Sequence, residues 1–237
     1  MGGVDTFIIE LEGKNATSIE RLCGTFLASV TKEALAPVDL LRLELKSTIE
    51  ATEVGALWIP DADDLEMKLT LGEQCGDGAR LYRELAARLT AIDAAPYDPR
   101  HGGYSKVFAF LRSLQTPEER AAAGQLTHQA LLVARSLVGA TYCEEHGDAE
   151  TAQLLRGRVI PERQRHREAG RRALAGFALN EESQARARRA SYRTLELVAE
   201  THDATNLRRM LGRSRAPKPP APAAPPAPTT PPAPTTL

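Results

Sequence analysis

Aromatic residues, cysteines and any charge imbalance are all scarce in this chain, and each shortage removes a class of explanation. Aromatics make up 5% of the 237 residues, with a single Trp, while Ala, Leu, Arg and Glu dominate. That composition is biased towards helix. The three cysteines, Cys23, Cys75 and Cys143, are far apart and odd in number. Neither a disulfide framework nor a thiolate zinc site is indicated. Lys and Arg total 30 against 31 Asp and Glu, a formal net charge of −1, so no global field favours nucleic acid or a membrane surface. No apolar run approaches the roughly 18–20 residues that cross a bilayer. The N-terminal MGGVDTFIIELEGKN lacks a basic segment followed by a long apolar one, so no signal peptide is expected and the expected location is cytoplasmic.

What is present is a series of helix signals. Residues 1–14 are ambiguous and read as a short extended arm around Phe7-Ile8-Ile9. Asn15, Thr17 and Ser18 offer N-caps for a first helix to about Ala34, with Ile19, Leu22, Phe26 and Val30 on one face. Pro37 suits the first turn of a second helix ending near Trp58, and Asp63 or Asp64 can cap a third. Two long helices joined by a short turn form an antiparallel hairpin. After a longer loop, Ile92–Gly103, and a short helix, Thr116-Pro117-Glu118-Glu119 reads as a capping box. The helix it opens ends at Gly147, a left-handed C-cap, and Asp148 starts the next. Pro161 falls inside that helix and removes one backbone hydrogen bond. A last helix spans Glu181–Glu200, and Ala204–Leu211 adds about two turns. From Arg215 onward the chain is a Pro/Ala/Thr-rich tail with polyproline-II character, read as disordered or as a ligand for a partner's groove. The division expected is an N-terminal arm and helix (1–36), a helical bundle (37–212) and the tail (213–237).

The two hairpins are alike. Asp77-Gly78-Ala79-Arg80-Leu81 aligns with Glu162-Arg163-Gln164-Arg165-His166, each with an acid, a basic residue three on and a long helical context. Together with TPEERAAAGQLTHQALLVARSL, the turn EEHGDAETA and IPERQRHREAGRRAL, the segment Pro37–Leu197 resembles the ferritin-like di-iron proteins, particularly the phenylacetyl-CoA oxygenase and tRNA-hydroxylase-like bundles. The resemblance implies an all-α, antiparallel four-helix bundle with extra N- and C-terminal helices. It also implies iron held by a Glu from each of two helices and a Glu-x-x-His pair from each of the others.

At the positions the resemblance designates, the ligands are missing. The first hairpin has Gly78 and Leu81 where Glu and His belong, the third helix has Gln129 for Glu, and the fourth has Arg163 for Glu beside His166. On the second helix the ligand register admits Glu50, Glu53 or Glu44. Arginine is cationic at any relevant pH, and a dication beside an unpaired guanidinium is prohibitively expensive to bury. The expectation is therefore a degenerate member with no metal or cofactor and no catalytic residue. It would act as an interaction or assembly subunit, a homodimer or a heterodimer with a ferritin-like partner. Two alternatives stand beside it. Glu162 and His166, four apart on one helix face, with Glu50, Asp77 and His128 facing them, could hold a single zinc or iron ion and support an O2-dependent oxidase or hydroxylase. The eleven arginines between Arg156 and Arg193 could offer an RNA-binding face. No aromatics interleave with them, and Glu/Arg pairing on a solvated helix explains them as well, so nucleic acid is not the expected partner.

Overall fold

The computed structural model describes residues 3–95, 97–100, 103–201 and 204–211. The expected Pro-rich tail, and His101 and Gly102 of the crossover loop, lie outside the described residues. Among the described residues every regular element is a helix.

α1 spans Gly3–Lys32, which corrects the extended reading over residues 3–14; residues 1 and 2 lie outside the described residues. Phe7, Ile8, Leu11, Asn15, Ile19, Leu22, Phe26 and Val30 are buried at helical spacing along one stripe, while Ile9 points outward. Asn15 is not a cap. It lies inside, donating to Thr127 Oγ1 at 2.9 Å and Ser191 Oγ at 3.0 Å.

α2 (Pro37–Trp58) starts where Asp39 Oδ2 accepts the Ala36 N–H at 3.0 Å. α3 (Leu65–Ala91) starts on Asp64, whose side chain accepts from Met67 N at 3.0 Å. α4 (Lys106–Ser113) is capped by Ser105. α5 runs as Pro117–Arg120, a π-helical stretch Ala121–His128, and Gln129–Glu145. Glu119 reaches back to Thr116 N, 3.3 Å away, as the capping box requires. Gly147 closes α5 with φ +82°, and the Asp148 side chain caps α6 by accepting from Thr151 N at 3.0 Å. α6 comprises Ala149–Leu154, a second π-helical turn Leu155–Val159, and Ile160–Phe177. That π turn ends directly before Pro161, where the ring leaves a carbonyl without its usual donor. α7 (Glu181–Ala199) and α8 (Ala204–Met210) complete the fold.

α2 packs along α3, and α5 along α6; α2 also meets Gln129–Glu145, and α3 meets Ile160–Phe177. The hairpins thus lie against each other. One apolar cluster joins Leu41, Leu45, Leu81 and Leu85 to Ala140, Leu155 and Val159. A second gathers Val54, Trp58 and Leu71 with Phe108 and Leu111 of α4 and Leu195 and Val198 of α7. A third seats Phe7, Ile8 and Leu11 of α1 on Ala121, Ala122, Leu126 and Leu174. Burying each leucine contributes on the order of 2 kcal/mol before entropy is counted. Close approach of α5 to α6 depends on Gly170, where a Cβ would lie 2.7 Å from the Gln125 carbonyl carbon. Between the first two clusters the interior turns polar.

Candidate functional site: a buried ionic centre

The polar band is supplied by α2, α5 and α6. Glu44, Ser47 and Thr48 sit on successive turns of α2, and all three are buried. Arg135 and Ser136 interrupt the apolar run LLVARSLVGA of α5, and Arg163 faces them from α6. Arg163 Nη1 lies 2.7 Å from Glu44 Oε2 and donates to Ser136 Oγ at 2.5 Å and the Leu132 carbonyl at 3.3 Å. Its Nη2 donates to Thr48 Oγ1 at 3.4 Å. Ser136 in turn donates to Glu44 Oε1 at 3.1 Å. Arg135 donates to Ser47 Oγ and lies 5.8 Å over the Phe26 ring. Glu44 thus pairs directly with Arg163, while Arg135 feels its charge at longer range.

The field shows in the neighbouring groups. Burial first, then Arg135 and Arg163, push the His128 pKa down to about 3, so its imidazole is neutral under ordinary conditions. Burial lowers the pKa of Arg135, with Arg163 adding to it and Glu44 opposing.

Of the positions the resemblance designates, Gly78, Leu81, Gln129, Arg163 and His166 do come together, around a cavity of about 20 Å3. That space holds no more than one water. α2 contributes Thr48, Ala51 and Thr52 to it, not Glu44, Glu50 or Glu53. Gly78 is required by this packing, because a Cβ there would collide with Thr52 Oγ1. Gln129 keeps its buried Oε1 without a hydrogen-bond partner.

Glu50, the leading second-helix candidate, faces another way. It accepts from Ser105 N at 3.0 Å and Ser105 Oγ at 2.7 Å, and lies 3.3 Å from Lys46 Nζ. Buried Lys46 donates to the carbonyls of Pro99 and Gly103 at 2.9 and 2.7 Å. The pair therefore ties down the crossover between the hairpins. Asp77, Glu162 and His166 do gather. His166 Nε2 lies 3.0 Å from Asp77 Oδ2, and because a carboxylate only accepts, the ring proton sits on Nε2. Asp77 also pairs with Arg80, and Arg165 lies 3.7 Å from both Asp77 and Glu162. Burial and then Asp77 raise the Glu162 pKa; burial lowers that of His166 against the pull of Asp77.

These residues do not fit a pair of metal ions. Among the described residues no group of three or more His, Cys, Asp and Glu side chains is placed to hold a metal. Arg163 lies between the α2 carboxylate and the positions meant for the others. Nor is a thiol nucleophile available, since burial raises the pKa of Cys23 and Cys75 and takes Cys143 to about 12.

The arginine-rich stretch is internally matched. Arg156, Arg158, Arg165, Arg167, Arg171, Arg172, Arg186 and Arg193 each lie within 4.0 Å of a carboxylate, as Arg163 does. Arg188 lies 5.3 Å over the Phe7 ring. Among the described residues, no helix is long and apolar enough to cross a membrane. Comparison with family models, curated proteins and solved structures gives no match.

Sequence reasoning missed Arg135, Ser136, Lys46 and Thr48. The signal was there for Arg135: a lone charge in an apolar helix is buried and must find partners.

Proposed function

We propose that the chain is a ferritin-like four-helix bundle whose metal centre has been replaced by an internal ion pair, and that it works as a non-catalytic interaction or assembly subunit. Its partner is a second copy or a related bundle. The observation that carries this reading is Arg163, buried against Glu44 beside the positions from which the resemblance would have iron held. A guanidinium supplies positive charge and several donors in fixed geometry, so the buried Glu44 carboxylate is balanced without a metal. The assembly role draws on an apolar groove of about 550 Å3 between α1 and α5, lined by Ile19, Leu126, Val133 and Val138. Leu27 and Leu137 stand 39% and 47% exposed along it.

Elemental analysis of protein expressed in iron- and zinc-supplemented medium tests the first half, with well under one equivalent of metal expected. One or two equivalents, lost on His166→Ala, would sink it in favour of a metal-dependent oxidase. Light scattering after size exclusion tests the second half. A particle heavier than the 25.7 kDa chain, reduced to a monomer by Leu137→Glu, is the expected outcome for self-assembly.

A further inference from the structure

Away from the ionic centre, the tip of the α2/α3 hairpin and the start of α5 enclose a second space, a cavity of about 170 Å3. That is close to the volume at which an apolar protein cavity takes up a molecule the size of benzene. Trp58, Met67, Leu71 and Phe177 give it an apolar wall.

Two of its lining residues carry unmet hydrogen-bonding capacity. Trp58 is 3% exposed and its indole Nε1 has no acceptor; Gln125 is 2% exposed and its Oε1 has no donor, the carboxamide being held through Nε2 by Gln74 Oε1 at 2.8 Å. Unpaired buried groups of this kind cost about 1–3 kcal/mol each. Trp58 is also pinned, because its six-membered ring edge packs on Gly124, where a Cβ would lie 2.7 Å from Cζ3. The mouth is acidic. Asp61, Asp63 and Asp64 line it, against the one cation Arg120, whose Nη2 is 2.9 Å from Asp61. Asp64 is committed to capping α3, and Asp63 is exposed.

An apolar wall, one donor and one acceptor wanting partners inside, and a negative mouth describe a specific occupant. A hydroxyl is the group that can both accept from Trp58 and donate to Gln125. We propose that this cavity binds a small amine with a flat apolar body and a hydroxyl at its inner end, the ammonium remaining at Asp63 and Asp64. The site is independent of whether the ionic centre ever held a metal.

Trp58 is the only tryptophan in the chain, so its emission, excited at the red edge, reports this cavity alone. The probes are tyramine, phenethylamine, which lacks the hydroxyl, and 3-(4-hydroxyphenyl)propionate, which reverses the charge. Tyramine should give a saturable change with a Kd on the order of 1 mM, as befits so few atoms. Phenethylamine and the carboxylate should each bind about tenfold more weakly, the first because it leaves the buried groups unpaired. Asp63→Asn, an exposed change that leaves the helix cap intact, should narrow the gap between tyramine and the carboxylate several-fold. Absence of saturable change with tyramine in the folded full-length protein overturns the proposal. So does equal affinity for all three probes, or an Asp63→Asn variant with unchanged discrimination.

Discussion

The centre of the bundle and its end solve the same problem in opposite ways. At the centre, Glu44, Arg163, Ser136 and Thr48 hold one another and leave only about 20 Å3 empty, with Gln129 Oε1 unpaired at its edge. At the end, Trp58 and Gln125 keep unpaired polar atoms beside about 170 Å3 of space. A buried charge network with room for no more than one water is closed to larger ligands, because any newcomer must displace hydrogen bonds already made. A cavity whose polar groups lack partners offers free energy to whatever supplies them. From sequence, the centre was the place where ligands were sought and none was expected; the larger enclosed space lies at the end.

The sharpest way to break this contrast is to strip the centre of its cation. Arg163→Met should strand the Glu44 carboxylate and cost about 3–5 kcal/mol, a fall in Tm on the order of 10 °C. A loss under 1 kcal/mol in chemical unfolding would mean that the centre is open to water. An acid in its place does not make a metal site: Arg163→Glu should take up no iron or zinc, since Gly78, Leu81 and Gln129 remain.

Acidification should act next most strongly, through His128. Its imidazole ordinarily titrates at 6.5, but at about 3 in the fold. Between those values only the unfolded chain takes the proton. Stability therefore falls as pH drops below about 6.5, by up to about 1.4 kcal/mol per unit from this group, and levels off near pH 3. Glu162, whose pKa the fold raises, contributes with the opposite sign. The informative quantity is hence the difference between wild type and His128→Gln across pH 7 to 4, which should shrink steadily with acid; a constant difference would show that the half-buried imidazole titrates alike in the folded and unfolded chain.

Gly170→Ala links the two regions. Its Cβ meets the Gln125 backbone, with the carbonyl carbon 2.7 Å and Cα 3.0 Å away, so α5 must shift from α6 at about 1–3 kcal/mol. Emission from Trp58 should change as well, because Gly124 and Gln125 share that stretch of helix. An unaltered spectrum and stability would show that the helices have slack there. At the small end, Lys106→Ala removes an exposed pair with Glu200 and should alter stability by less than about 0.5 kcal/mol.

Much of the helical layout was legible because helix ends are chemically local. Gly147, Asp148, Thr116 with Glu119, and Asp64 act where the sequence puts them. Residues 3–14 were not legible as helix, because what stabilises their apolar stripe is Ala121, Leu126 and Leu174, far away in the chain. The register of the centre was only half legible. Gln129 and Arg163 both follow π-helical stretches, which add a residue per turn and rotate the face that a 3.6-residue period predicts. Glu50 was drawn off by Ser105, a contact across a crossover that no local pattern encodes.

The most direct test of the ionic centre is a double-mutant cycle on Glu44→Gln and Arg163→Met, read by equilibrium unfolding at pH 7. A buried pair of this kind should couple by about 2–3 kcal/mol, the double variant being more stable than Arg163→Met alone. Additive losses, within about 0.5 kcal/mol, would contradict it.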